Sequence, residues 1–265
     1  MTNLESEIIA SIKRGLSWVE LKESLNMRGC PVCNTMKRTI EKYFEFLLYE
    51  YALDAAVHKK TLASFGMCNT HTYLLKIVEQ KLKSDGLNIS VLYETLFQKE
   101  EKLLAEIEEK ELVENAKSFA GLKKKKDFIS HKKEILSGLA ATGTCPGCIQ
   151  QQQSESFYTH EILRLYKDVE FRNKIENENI LLCRRHFIFT INESENDDAI
   201  KYFNGVQKKK IELLHMHLKG FIQNHDYKSK KEMTEKEINS WTIALEYFGS
   251  KEGINREGYN ELLNQ

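Results

Sequence analysis

Apolar residues recur at helical spacing along most of the chain. Ile40, Tyr43, Phe44, Leu47, Leu48 and Tyr51 follow an i, i+3, i+4, i+7 rhythm that predicts a helix over Thr35 to Tyr51. Tyr158, Ile162, Leu165 and Val169 predict a matching helix further on. Tyr73, Leu74, Ile77 and Val78 begin a third, and Phe187, Ile188 and Phe189 a fourth. After loops at Ser84-Asp85-Gly86 and from Asn192 to Asp198, two long amphipathic helices are expected. One runs from about Ser90 to Asn115 with Leu92, Leu96, Leu103, Leu104 and Ile107. The other runs from about Ala199 to Gln223 with Tyr202, Val206, Ile211, Leu214 and Leu218. Strand-type alternation is nowhere persuasive, so the predicted class is all-α.

Capping residues sharpen the boundaries. Pro31 and Pro146 suit the first turn of a helix, where a missing N–H costs nothing. Asp54 and Asp168 are placed to cap short helices reaching about Ser64 and Asn177. Thr234 and Glu237 form a capping-box pair. Behind it Ile238, Trp241, Leu245 and Phe248 make an apolar stripe ending at Gly249, a suitable C′ residue. This last helix reads as one that docks on and closes the bundle, with Lys251 to Gln265 fraying beyond it.

The cysteines reveal an internal duplication. Cys30-Pro31-Val32-Cys33 is followed after thirty-four residues by Cys68-Asn69-Thr70-His71, and Cys145-Pro146-Gly147-Cys148 after thirty-four by Cys183-Arg184-Arg185-His186. The second block begins 115 residues after the first, and the two blocks contain all six cysteines and both prolines. Tyr43 aligns with Tyr158, Leu47 with Ile162, Leu48 with Leu163, Tyr51 with Tyr166 and Leu21 with Leu136. Such a repeat is settled before other fold reasoning. The predicted organisation is a first repeat over 1–120, a second over 121–228, joined near 116–130, and a C-terminal helix and tail over 229–265.

Three thiolates and an imidazole make a closed tetrahedral donor set of the kind that holds structural Zn2+. The predicted ligands are Cys30, Cys33, Cys68 and His71, then Cys145, Cys148, Cys183 and His186, for two zinc ions per chain; Fe–S or another soft metal is the alternative. Pairing within each repeat is the expected arrangement. A crossed one, with Cys30 and Cys33 sharing an ion with Cys183 and His186, is the alternative. A helix from Cys33 to Leu53 leads about 30 Å away, so the chain must double back for the within-repeat set to close. Two ions on six thiolates would take a formal charge of zero to −2, or −1 per centre.

Competing cysteine chemistry fits less well. Disulfides suit small secreted chains, whereas this one has 265 residues and no secretory pattern at its start. A thioredoxin-like centre needs a cis-proline near the site, and no proline lies outside the motifs. Attachment of c-type haem needs His after the second cysteine, where Asn34 and Ile149 stand. Mean hydropathy of −0.49 with no membrane-length apolar run excludes a membrane span, and balanced charge, 39 basic against 39 acidic, disfavours nucleic acid as the partner. The lysine runs 123–126, 208–210 and 228–231 read as solvated faces, and as phosphate contacts only secondarily. His215 and His217, two apart, point to different sides of a helix, while His58, His131 and His160 are isolated.

The motifs CPVC with GMCNTH, CPGC with LLCRRH, and the tail His225-Asp226-Tyr227…Ser240-Trp241…Gly249 resemble a widespread, uncharacterised prokaryotic family carrying paired CPxC…CxxH motifs and an HDY…SW tail. The resemblance covers about residues 20–250. It implies tandem metal knuckles on a helical scaffold and brings no established activity. No nucleotide-binding, hydrolase or metalloprotease motif is present. The reading is therefore a cytoplasmic zinc protein acting as an interaction module for a protein or small-molecule ligand, rather than an enzyme. The alternatives are a thiol- or metal-responsive sensor, and an enzyme or ligand-binding protein with a pocket near His225, Asp226, Tyr227 and Trp241.

Overall fold

The structure is a computed structural model describing residues 18–83, 85–119, 136–225 and 232–254, with backbone alone over 107–119. Asp226, Tyr227, His131, Ser84, the lysines at 123–126 and 228–231, the side chain of Ile107, and the tail from 255 lie outside the described residues. The main helices are α1 (Pro31–Tyr49), α2 (Ala55–Ala63), α3 (Asn69–Lys81), α4 (Leu87–Phe119), α5 (Pro146–Arg164), α6 (Val169–Ile175), α7 (Arg184–Asn192), α8 (Asp197–Asn224) and α9 (Glu235–Gly249). Among the described residues there is no strand, only one isolated bridge between Gly29 and Ile180, so the protein is all-α. No helix among them is long and apolar enough to cross a membrane.

The caps act as their residue types dictate. Asp54 Oδ1 accepts from Ala56 and Val57 N–H at 2.9 and 3.0 Å, and Asp168 Oδ1 from Phe171 N–H at 2.8 Å. Thr234 and Glu237 form the full capping box of α9. Pro31 and Pro146 open α1 and α5. Gly249, however, is still helical, and Ser250 takes the left-handed turn with φ 63°.

Two compact units are present, one built from the chain up to Ile40 and from Gln150 onward, the other from Glu41–Ile149. The chain passes from the first to the second within α1 and returns within α5. In the first unit Leu21, Met36, Ile40, Ile162, Phe171 and Phe203 are fully buried, and α9 packs on α8 and α7. In the second, Phe44, Leu47, Leu48, Leu75, Val78 and Leu92 are buried, and α2 packs on α4. Some stripe positions do not share this burial. Tyr51 lies past the end of α1 and is exposed, Val169 starts the next helix and is exposed, and Leu136 is exposed where Leu21 is buried.

The largest departure concerns α9. Its apolar stripe, expected to dock inward, faces outward: Ile238, Trp241, Leu245 and Phe248 are 46%, 51%, 64% and 62% exposed. The buried side chains of α9 are instead Glu237 and Ser240. Gly220 on α8 explains the polar contact, because a Cβ there would meet Glu237 Oε1 at 2.3 Å. The capping carboxylate thus sits against a bare stretch of α8 backbone, and the helix docks by its box. Trp241→Ala is accordingly expected to cost about 1 kcal/mol or less in urea unfolding followed by helical circular dichroism, against the 3–5 kcal/mol of a Trp anchored in a core.

Candidate metal centres

Each cysteine motif is a helix N-terminus. Cys30 and Cys145 immediately precede the prolines that open α1 and α5, with Cys33 and Cys148 in the first turn. Cys68 and Cys183 are the N-caps of α3 and α7, with ψ of 167° and 160°, and neither side chain caps its own helix. His71 and His186 stand in the first turns of the same helices. A helix N-terminus favours negative charge, so it favours the thiolate over the thiol.

Backbone pairing brings a CPxC turn to a CxxH turn in each unit. Gly29 N–H donates to the Asn179 carbonyl at 2.9 Å, and Leu181 N–H to the Gly29 carbonyl at 3.2 Å. Thr142 and Gly143 N–H both donate to the Ala63 carbonyl, at 2.8 and 2.9 Å. The segment before Cys183 is held from α8, where Gln207 Nε2 donates to the Leu182 carbonyl at 2.8 Å. Lys210, which the sequence placed on a solvated face, instead bonds the carbonyls of Ile175, Asn177 and Ile180, and its burial lowers its pKa to about 8. The turn before Cys68 is held from α4: Lys99 Nζ donates to the Leu62 carbonyl at 2.7 Å and lies 3.6 Å from the Phe65 ring centroid.

These contacts gather all eight predicted residues into two clusters, and the pairing is crossed. Cys30, Cys33, Cys183 and His186 form the first centre; Cys68, His71, Cys145 and Cys148 form the second. Within each, one donor atom per residue lies within 4.8 Å of the others. The expected within-repeat pairing is thereby corrected. Nineteen residues of α1 lead away by about 28 Å, while the nine of α2 return only about 13 Å. The CxxH turn therefore meets the CPxC turn of the other repeat.

The geometry is that of a tetrahedral donor set. Zn–S bonds of 2.3 Å and Zn–N bonds of 2.0–2.1 Å imply sulfur–sulfur edges of about 3.8 Å and sulfur–nitrogen edges of about 3.5 Å. At the first centre Cys33 and Cys183 Sγ are 3.7 Å apart, and His186 Nδ1 is 3.2 Å from each of the three sulfurs. At the second, Cys68 and Cys148 Sγ are 3.6 Å apart, and His71 Nδ1 lies 3.3, 3.6 and 3.5 Å from Cys68, Cys145 and Cys148. None of the six cysteines is disulfide-bonded.

The thiols and imidazoles of each cluster shift one another strongly. Hydrogen bonds from Cys30 and Cys33 hold the Cys183 thiol well below its ordinary range, while those to Cys183 and Cys30 push Cys33 well above it. Hydrogen bonds from Cys148 and Cys68 lower Cys145. Burial would lower His71, yet the sulfurs of Cys145 and Cys68 carry it up to about 9. His186 moves up for the same reason, against complete burial. In each cluster at least one sulfur is thereby held towards the thiolate, the form that ligates a metal ion.

The surroundings of the two imidazoles differ. Behind His186, Glu155 Oε1 lies 3.0 Å from Nε2, within ion-pair distance but off the line of a hydrogen bond. Glu155 is itself clasped by Arg185, Nε to Oε1 at 2.5 Å and Nη2 to Oε2 at 2.6 Å, all buried. Burial would raise the Glu155 pKa, but Arg185 and then His186 outweigh it and hold it at about 2. His71 Nε2 is buried without a hydrogen-bond partner, and the His71 and Phe44 rings meet edge to face with centroids 6.1 Å apart. Glycine at 147 is required, since a Cβ would meet His71 Cγ at 2.6 Å; the equivalent position in the other motif is the fully buried Val32.

Of the other predicted site residues, the described ones, His225 and Trp241, do not join these centres. His225 closes onto its own helix, with Nδ1 3.0 Å from the Phe221 carbonyl and its ring 4.2 Å from that of Phe221. Trp241 lies on the exposed stripe of α9. An open groove of about 940 Å3 between α8 and α9 is lined by His215, His217, Glu212 and Glu235 among others, and neither His225 nor Trp241 lines it. His58 is packed between Thr95 Oγ1 and the Ala52 carbonyl, and His160 rests on the Ser156 carbonyl.

A family model described as a family of unknown function (DUF6062) matches residues 12–252. The chain belongs to that family. It is also similar to an uncharacterized 23.9 kDa protein in the xynA 3' region of Caldicellulosiruptor sp. (strain Rt8B.4), 23% identical over 232 residues that cover 85% of this chain and 97% of the relative. No solved structure matches it. For this DUF6062 member the centres make a local prediction. Gly147→Ala must displace the His71 ring and is expected to lower stability by about 1–3 kcal/mol, whereas Gly138→Ala, with open space around it, should change the urea midpoint little.

Proposed function

We propose that each cluster binds one Zn2+ in a closed Cys3His site, and that the two ions fasten a helical interaction module. The observation that carries this reading is the pair of four-donor sets with edges of 3.2–3.7 Å, matching what a tetrahedral ion of zinc's bond lengths demands. Thiolate-rich tetrahedral sets select Zn or Fe–S, and one imidazole with a Nδ1 donor in each set favours Zn. At the first centre Glu155, Arg185 and His186 supply the carboxylate-to-histidine support that usually accompanies a bound ion.

A non-catalytic role fits donor sets in which four side chains fill the four positions of a tetrahedron. Catalytic zinc keeps one position for water or substrate. Binding a protein or a small-molecule ligand is the corresponding activity, with nucleic acid disfavoured by the balanced charge. Reduced thiolates suit a reducing compartment, so a cytoplasmic location belongs to the same reading. A metal-responsive role is the second reading, and the half-burial of Cys68 and Cys148 favours it.

Elemental analysis of protein purified anaerobically is expected to return two zinc ions per chain. Chelation should then reduce helicity, because metal-binding free energy is also folding free energy. Paired variants resolve the ligand sets. Cys33→Ser with Cys183→Ser should leave one ion bound, whereas Cys33→Ser with Cys68→Ser should leave none. Protein without metal would refute the reading, and the opposite pattern of retention would restore the within-repeat pairing.

A further inference from the structure

The two centres share a donor set but not an environment. All four donors of the first are buried: Cys30 8%, Cys33 1%, Cys183 2% and His186 0% exposed. The residues after α9 cover it further, with Ser250 Oγ 3.6 Å from Cys183 Sγ and Lys251 hydrogen-bonded to Asn34. In the second centre Cys68 and Cys148 are half-buried. Exposure of these two residues gives solvent an approach to the donor set that the buried residues of the first centre do not.

The imidazole supports differ in the same direction. His186 backs onto the buried Glu155–Arg185 pair, which sets a negative charge 3.0 Å from its Nε2. The corresponding residues in the other repeat, 115 positions earlier, are Ile40 and Thr70, which carry neither charge. Neither imidazole Nε2 makes a hydrogen bond, but His186 has the Glu155 carboxylate 3.0 Å away and His71 has no ion-pair partner among the described residues. Support of this kind is worth about 10–100-fold in metal affinity where it has been removed from other sites.

We propose that the Cys30/Cys33/Cys183/His186 centre retains its ion while the Cys68/His71/Cys145/Cys148 centre exchanges its ion with small polydentate chelators. This rests on the zinc reading above and adds a division of labour to it. Exchange proceeds by ligand substitution. A chelator donor takes a position on the ion as the Cys68 or Cys148 thiolate departs and picks up a proton from water, with no change of oxidation state. Loss of that ion unties the Cys145–Cys148 turn from the start of α3, while the first centre stays closed.

The test uses the two-zinc protein, excess EDTA as acceptor and a metallochromic dye to follow parallel release. One equivalent is expected to leave at least tenfold faster than the other. Cys148→Ser should abolish the fast equivalent and preserve the slow one. Glu155→Met with Arg185→Leu, which removes both buried charges together, should speed the slow equivalent about 10–100-fold and leave the fast one unchanged. Maleimide labelling of the unaltered protein, mapped by peptide mass, gives a readout independent of whether variants fold: Cys68 and Cys148 should be modified in step with fast release. A single rate for both ions, a fast equivalent that survives Cys148→Ser, an unchanged slow rate in the double variant, or earlier labelling of Cys30 and Cys183 would overturn the proposal while leaving two bound zincs intact. Protein holding no zinc would instead overturn the reading beneath it.

Discussion

Everything in this molecule is organised around the mutual repulsion of three closely packed sulfurs and its relief. Each cluster lies where two helices begin, α1 and α7 for one, α3 and α5 for the other. Every helix contributes partial positive charge from its unpaired N–H groups, and every CxxH turn contributes an imidazole. These terms lower the cost of gathering thiolates but do not cancel it. Two half-charges and one imidazole still face three sulfurs, and a divalent ion, as proposed, would settle the balance.

The crossed pairing gives those centres a structural consequence. A knuckle closed within thirty-four residues would fasten only a local loop. Here Cys33 and Cys183 stand 3.7 Å apart although 150 positions separate them in sequence. The other set joins Cys68 to Cys148 across 80 positions. Cross-linking distant residues restricts the unfolded chain more than closing a short loop does, though loop-closure entropy grows slowly with length. Ions bound there would therefore act on long-range order, and α1 and α5 are the helices along which the chain passes between units.

Much of this was legible before any coordinates. The eight residues that gather in the two clusters followed from spacing alone, because C-x-x-C and C-x-x-H allow two donors to converge at one helix start. Asp54, Asp168 and the Thr234–Glu237 box marked helix starts because they satisfy otherwise orphaned N–H groups. The pairing was not legible, since it depends on the lengths of α1 and α2 and on which carbonyls Gly29 and Gly143 find. The outward turn of the α9 stripe was equally hidden. Its periodicity identifies an apolar face but says nothing about which face meets α8, and that choice follows from the fit of Glu237 at Gly220. Glu155 and Arg185 were missed because each stands in a polar stretch that reads as solvent-facing. The residual signal was an arginine inside the second C-x-x-H turn, where the first repeat has Thr70.

The central claim is that two tetrahedral ions take their donors from both repeats at once. Crystals of the anaerobically purified protein, measured at the zinc absorption edge, address it directly. The account predicts two anomalous peaks, one among Cys30, Cys33, Cys183 and His186, the other among Cys68, His71, Cys145 and Cys148. A peak shared by Cys33 and Cys68, or no peak at either cluster, would contradict it.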